Sequence, residues 1–278
     1  MIPKGEEESM RLKKAIIPAA GLGQRMLPAT RAIPKPMLPV VDRPALQYLV
    51  EEAMEAGIEE IAIVVGHQAD VIRAHFAGEP RIWFIEQTDL KGTGHALLMA
   101  RDFVGHEPFA VMLGDIVIDG TEGCLKQLLG VAERVKAPVL AVERLPEHLL
   151  CQHNAIQYSQ TPDPQLIRCR QVIEKPQGPT PSNVVSIGRY LFPPELMAWL
   201  ERVEPDGRGE IQLTDAINLL IEQETVYGYF YKGQRYDVGD RTEWLKAQIA
   251  LACKHSDIRD ELLPYVKQLL EHENLKQR

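Results

Sequence analysis

The first residues with the means to do chemistry stand at Ala19-Ala20-Gly21-Leu22-Gly23-Gln24-Arg25, just after an apolar run at 15–18 that reads as a strand. Glycines past a strand end let the backbone approach a phosphate closely and offer it N–H donors. Taken alone, Gly-x-Gly serves a tight turn equally well. Met26 stands where a dinucleotide fingerprint needs a third glycine, and no Gly-Lys-Ser/Thr of a P-loop is present. The surroundings favour an anion. Arg25, Arg31 and Lys35 follow among Pro28, Pro34, Pro36 and Pro39, which forbid a regular helix and predict an ordered, extended path. Cations pre-organised on such a path suit a polyphosphate; solvated surface charges are the alternative.

Asp115 closes the apolar run 109–113 within Leu113-Gly114-Asp115. A carboxylate there is placed to hold Mg2+, although a turn or a helix cap uses the same residue type. Glu174-Lys175-Pro176 reads as a strand end followed by a turn. There is no H-E-x-x-H and no Gly-x-Ser-x-Gly, and His148, Cys151 and His153 read as loop residues rather than zinc ligands.

These groups must be carried by a scaffold. Residues 45–56 place Ala45, Leu46, Leu49, Val50, Ala53 and Met54 on one helical stripe, stopped by Gly57. Strand-like runs at 61–65, 81–85, 109–113 and 138–142 alternate with helical patterns at 71–76, 95–103 and 124–135. Such alternation predicts an α/β fold, a Rossmann-like open mixed, mostly parallel sheet flanked by helices. After residue 145 longer strands are expected at 155–158, 166–173 and 184–191, helices at 194–200 and 213–223, and strands at 226–231 and 234–238. A helical amphipathic tail begins at 241. No flexible linker or repeat interrupts the chain, so 11–278 reads as one domain, with residues 1–10 expected to be disordered.

The chain has 278 residues, 45% apolar and 25% charged, a composition that excludes disordered, collagen-like and coiled-coil classes. Its 31 basic and 39 acidic residues give a charge of −8, which argues against nucleic acid or an anionic membrane as partner while leaving room for a small anion. Four separated cysteines without a C-x-x-C pair fit a reducing compartment. The absence of a long apolar run and of a signal-peptide pattern points to a soluble, cytoplasmic protein.

The runs Ile17-Pro18-Ala19-Ala20-Gly21-Leu22-Gly23-Gln24-Arg25-Met26-Leu27-Pro28 and Pro34-Lys35-Pro36-Met37-Leu38-Pro39 resemble the signature of sugar-1-phosphate nucleotidylyltransferases, most closely the bacterial UTP–glucose-1-phosphate uridylyltransferases. The resemblance continues at Gly92-Thr93-Gly94-His95-Ala96, Gly188-Arg189-Tyr190, Gly209-Glu210-Ile211-Gln212-Leu213-Thr214-Asp215 and Tyr236-Asp237-Val238-Gly239-Asp240. It implies direct transfer of a uridylyl group from UTP to glucose-1-phosphate, giving UDP-glucose and pyrophosphate, with Mg2+ as cofactor and a homo-oligomer, dimer or tetramer, as the assembly. In its terms 11–145 is a nucleotide-binding half, 146–240 a sugar-binding half and 241–278 a C-terminal helical segment. Arg25, Lys35 and Lys175 would handle the phosphates. Ala20, Gly21 and Gly23 would line the nucleotide, and Gln87 and Gly92 would read the base edge. Glu174, Gly188 and Glu210 would contact the sugar, although Glu210 also suits a helix cap. Asp115 and Asp237 would hold the metal, while Asp240 is expected to cap the next helix.

The chain departs from the family pattern at Pro36, usually Glu, at Gly114, usually Pro, and at His153-Asn154-Ala155-Ile156, usually Tyr-Gly-Val-Val. It also lacks an insertion expected near 76–82. These departures leave a thymidylyltransferase, another nucleotide–sugar pair, or a weakly active regulatory nucleotide-sugar-binding paralogue as alternatives.

Overall fold

The apolar run after Lys14 becomes β1 (Lys14–Pro18), near the middle of the main sheet. In the computed structural model, which describes residues 12–276, the chain continues through β2 (Pro39–Val40), β3 (Arg43–Pro44), α1 (Ala45–Glu55), β4 (Glu60–Val65), α2 (Ala69–His75) and β5 (Ile82–Glu86). Next come α3 (Gly92–Met99), α4 (Arg101–Val104), β6 (Phe109–Met112), β7 (Ile116–Asp119), α5 (Cys124–Val135) and β8 (Val139–Arg144). The second half adds β9 (Asn154–Gln160), β10 (Leu166–Glu174), β11 (Val184–Phe192), α6 (Leu196–Leu200) and α7 (Leu213–Gln223). It ends with β12 (Tyr227–Phe230), β13 (Gln234–Asp237), α8 (Arg241–Ala252) and α9 (Ser256–Lys276). The expected disorder of residues 1–10 lies outside the described residues.

Among the described residues one nine-stranded sheet runs in the order β5-β4-β1-β6-β11-β8-β12-β10-β9. The pairings make β10 and β11 run against the other strands, so the sheet is mixed and mostly parallel, as the alternation predicts. Successive side chains of a strand point to opposite faces. Ala15 and Ile17 therefore join Ile61, Ile63 and the apolar sides of α1, α5 and α8. Ile16 joins Ala62, Val64 and the sides of α3, α6 and α7 on the other face. With both faces covered, the site is left to the strand ends and loops.

Three differences from the sequence reading bear on the site. The proline-rich stretch is not extended: it folds into short 3-10 turns at Gln24–Met26, Ala29–Arg31 and Lys35–Met37. Each needs only i→i+3 bonds, such as Met37 N–H to the Pro34 carbonyl at 2.8 Å, and proline's missing donor falls where no bond is required. The helix expected at 95–103 starts earlier, at Gly92, and divides into α3 and α4. The pair β7–β13 was not legible, yet it matters most, because its register sets Asp237 opposite Ile116. Asp240 caps α8 as expected, its side chain accepting from the N–H groups of Thr242 and Glu243 at 2.9 and 3.0 Å.

Candidate active site

Two adjoining cavities, of about 590 and 560 Å3, open beside the strand ends. The first is walled by the loop after β1, by Gln87 and Gly92 after β5, and by Lys35. The second is lined by His153, Asn154, Ser186, Gly188, Thr214, Arg235 and Asp237. Arg25, Asp115, Glu174 and Lys175 face both, so charged groups stand at the junction.

Lys35 Nζ donates to Asp115 Oδ2, and Arg25 Nη2 lies 3.8 Å from the same oxygen. Arg25 Nη1 reaches Asp237 Oδ2 at 3.4 Å. The Val238 N–H donates to the Asp115 carbonyl at 2.9 Å, which sets the end of β13 against the loop after β6. Burial pushes the Asp115 carboxyl up, but the Lys35 cation and its hydrogen bond, with Arg25, hold it below the ordinary range. Asp237 moves the other way, raised by burial and by the Asp115 charge against the pull of Arg25. One acid is clamped ionised while its neighbour feels the repulsion.

Gly239 brings the pair together and was not singled out from the sequence. A Cβ there would stand 2.8 Å from Arg25 Nη2, 2.9 Å from Asp237 Oδ1 and 3.1 Å from Asp115 Oδ2. The two carboxylate oxygens can thus be no further apart than the sum of the last two distances. The Gly239 N–H donates to Asp237 Oδ1 at 2.7 Å. The only signal in the sequence was a glycine two residues after a carboxylate. Gly239→Ala is expected to lower turnover by about tenfold or more by displacing these charges, with little change in unfolding temperature. Unchanged turnover in a folded variant would contradict the role given to this close approach.

The expected site residues come together. Ala20, Gly21, Gly23, Gln87, Gly92, Glu174, Lys175 and Glu210 line the first cavity, and Gly188 and Asp237 the second. A Cβ on Gly21 would meet nothing within 4 Å, so its bareness opens space rather than relieving crowding. Gly188 is different: its φ is +83°, and a Cβ would press on Leu113 at 2.9 Å. Lys175 also has a positive φ, 39°, a strained setting for a side chain and one that turns the chain sharply at the cavity wall. Arg31 is exposed and lines neither cavity; its carbonyl accepts from Gln68 Nε2 at 3.0 Å.

The second cavity is polar in ways the sequence did not reveal. Asn154 Oδ1 accepts from the Ser186 N–H at 2.8 Å and Asn154 Nδ2 donates to Ser186 Oγ at 2.9 Å. Ser186 Oγ lies 3.1 Å from the Tyr190 hydroxyl, which burial pushes up to about 12. The Thr214 hydroxyl is buried without a partner among the described residues. Burial, then the Arg235 and Arg25 charges, push His153 down to about 4, so the ring is neutral at pH 7.

That shift carries a sign. The unfolded ring takes its proton near pH 6.5 and the folded ring only near 4, so acidification across that window favours unfolding and the full stability stands above it. With the ring partly solvated, the loss is discounted to about 1–2 kcal/mol. His153→Gln, which does not titrate, is expected to flatten the fall in urea midpoint between pH 7 and pH 5; an unaltered slope would contradict this.

Residues 14–253 match the family described as Nucleotidyl transferase. The chain belongs to that family. This nucleotidyl transferase is 39% identical to a UTP–glucose-1-phosphate uridylyltransferase of Bacillus subtilis (strain 168), over 95% of this chain and 99% of that one. The alignment spans 291 positions, more than the 278 residues here, so the relative holds residues this chain lacks. A crystal structure of UDP-glucose pyrophosphorylase complexed with UDP-glucose, 33% identical, matches with a TM-score of 0.83 over 88% of this chain and 100% of that one. A UTP-bound UGPase from Acinetobacter baumannii, also 33% identical, matches at 0.80 over 93% and 99%. In this nucleotidyl transferase no described helix is long and apolar enough to cross a membrane.

Proposed function

We propose that this nucleotidyl transferase is a UTP–glucose-1-phosphate uridylyltransferase. An oxygen of the glucose-1-phosphate phosphate attacks the α-phosphorus of UTP, the bond to the β-phosphate oxygen breaks, and UDP-glucose and pyrophosphate result. The observation that carries this reading is the junction: a glycine-walled cavity and a polar cavity share Arg25, Asp115, Glu174 and Lys175. The first would take the nucleotide, with the backbone of Ala20, Gly21 and Gly23 along it and Gln87 and Gly92 at the base. The second would take the sugar, with Glu174 accepting from hydroxyls, Gly188 presenting its backbone to the ring, and Glu210 reaching toward it from the first cavity. Arg25 and Lys35 would hold the triphosphate and Lys175 the sugar phosphate, bringing the reacting oxygen and phosphorus into line.

Asp115 and Asp237 suit a hard divalent cation, for which we read Mg2+. Their donor set is all oxygen and converges beside the phosphate-binding cations. Among the described residues no cluster of three His, Cys, Asp or Glu forms, which leaves coordination for phosphate oxygens and water, the usual arrangement for Mg2+. The ion would supply charge neutralisation at the transferring phosphoryl group.

The reading extends to a single working unit over 11–278, supported by one sheet that carries both cavities, and to a cytoplasmic homo-oligomer, dimer or tetramer. Exposed Leu245, Ile249, Leu269 and Leu270 on α8 and α9 support association. Pyrophosphate release across a matrix of nucleoside triphosphates and sugar-1-phosphates tests the whole. UTP with glucose-1-phosphate is expected to be the fastest pair. Faster turnover with dTTP would make the protein a thymidylyltransferase, and no turnover from protein that binds UDP-glucose would make it a binding paralogue.

A further inference from the structure

The amide of Gln87 lies in the first cavity, in a residue only 5% exposed. Its nitrogen has two partners. Nε2 donates to the Gly92 carbonyl at 3.2 Å and lies 2.9 Å from His95 Nδ1. A carbonyl can only accept, so the Gly92 contact fixes which end of the amide is nitrogen. His95 Nδ1 then accepts the second N–H, which requires the imidazole tautomer with its proton on Nε2. Both amide hydrogens are thereby used. Gln87 Oε1 takes part in neither contact and is left as the group the amide can offer a ligand.

The support for this arrangement is built into the backbone. Gln87 N–H donates to the Val65 carbonyl at 2.8 Å, anchoring the residue to the end of β4. Gly94 N–H donates to the Ile211 carbonyl at 2.9 Å, and Ile211 N–H to the Lys91 carbonyl at 2.8 Å, so the first turn of α3 is tied to the 210–212 segment. Gly92 has a φ of +87°, and a Cβ there would stand 2.8 Å from the Ile211 carbonyl oxygen. The Gly92 carbonyl and the His95 ring are thus held in place on one short turn, both aimed at the same amide nitrogen.

We infer that His95 is a specificity-positioning residue, one that holds the Gln87 amide so that only its acceptor meets the base. The inference rests on reading the first cavity as the nucleotide site. A uracil or thymine ring presents an N–H at position 3 and satisfies Oε1. Cytosine presents a lone pair at the same place, and lone pair would then face lone pair. With Nε2 held by the Gly92 carbonyl and His95 Nδ1, the amide turns to suit cytosine only by setting Oε1 against that carbonyl and by moving the His95 proton to Nδ1. Discrimination thus comes from a group that need not touch the nucleotide. Without the His95 acceptor one of these two restraints is gone, and the amide turns its N–H to cytosine at lower cost.

Equilibrium titration of UTP and CTP, without sugar phosphate, tests this independently of turnover. The wild type is expected to prefer UTP. In His95→Leu the UTP-to-CTP affinity ratio is expected to fall by about tenfold or more, because one unmet buried donor changes binding by that order. His95→Asn returns an oxygen near the Nδ1 position and is expected to keep the ratio within about threefold of wild type. Should His95→Leu fail to fold, His95→Ala poses the same question. An unchanged ratio in a folded His95→Leu, or an equal loss for both nucleotides, overturns the inference while leaving the uridylyl reading intact. A wild type with no preference for UTP over CTP overturns both.

Discussion

Asp115→Asn is expected to lower turnover with UTP and glucose-1-phosphate by at least ~100-fold, about 3 kcal/mol of transition-state stabilisation. The substitution is nearly isosteric and keeps an oxygen that accepts from Lys35, so position and volume barely change. What it removes is the charge toward which both Lys35 and Arg25 are turned. Those cations then lose the group that holds them at the junction of the cavities. Asp237, raised partly by the Asp115 charge, loses that repulsion and moves toward the ordinary carboxylate range. Circular dichroism and the unfolding temperature should stay close to wild type while kcat collapses. Turnover within a few-fold of wild type would remove Asp115 from the proposed mechanism.

The second large effect is on stability and comes from a buried ion pair behind the second cavity. Arg189 is fully buried, at 0% exposure, beside Gly188. Its Nη2 donates to Glu52 Oε2 at 2.8 Å and to the Ile116 carbonyl at 2.8 Å, and its Nε to Glu52 Oε2 at 3.1 Å. Glu52 Oε1 also accepts from the Leu125 N–H, at 2.9 Å, so one carboxylate on α1 joins β11 to the start of α5. Glu52→Ala strands a buried guanidinium and a backbone donor together, and is expected to cost about 3–5 kcal/mol. For a chain of this size that is a fall of about 10 °C in unfolding temperature. The paired change Glu52→Leu with Arg189→Met, which removes both charges, should recover most of the loss. A single variant within 1 °C of wild type would contradict the assigned role.

Much of the scaffold was legible because its signals are local. The stripe of α1 and the buried runs of β1, β4 and β6 follow from periodicity, and Asp240 follows from its place before a helix. The cations Arg25 and Lys35 were legible as types, but their path was not. Prolines excluded a helix of full length without forbidding the single 3-10 turns that set Lys35 against Asp115. Asp237 could be proposed only by resemblance, since its position depends on β13 pairing with β7 across more than a hundred residues of chain. Gly239, the Arg189–Glu52 pair and the His95–Gln87 contact were not read as such for the same reason. Each is a relation between side chains or backbones brought together by tertiary packing, and each residue alone has an ordinary reading as turn, surface charge or core.

Phosphorus-31 NMR of the wild-type protein with UTP, glucose-1-phosphate and Mg2+ tests the central claim most directly, because it follows the phosphorus atoms that the junction is proposed to rearrange. UDP-glucose and pyrophosphate are expected to grow in equal amounts as both substrates decline. Substrates left unchanged by folded protein that binds UTP, or inorganic phosphate appearing in place of pyrophosphate, would contradict it.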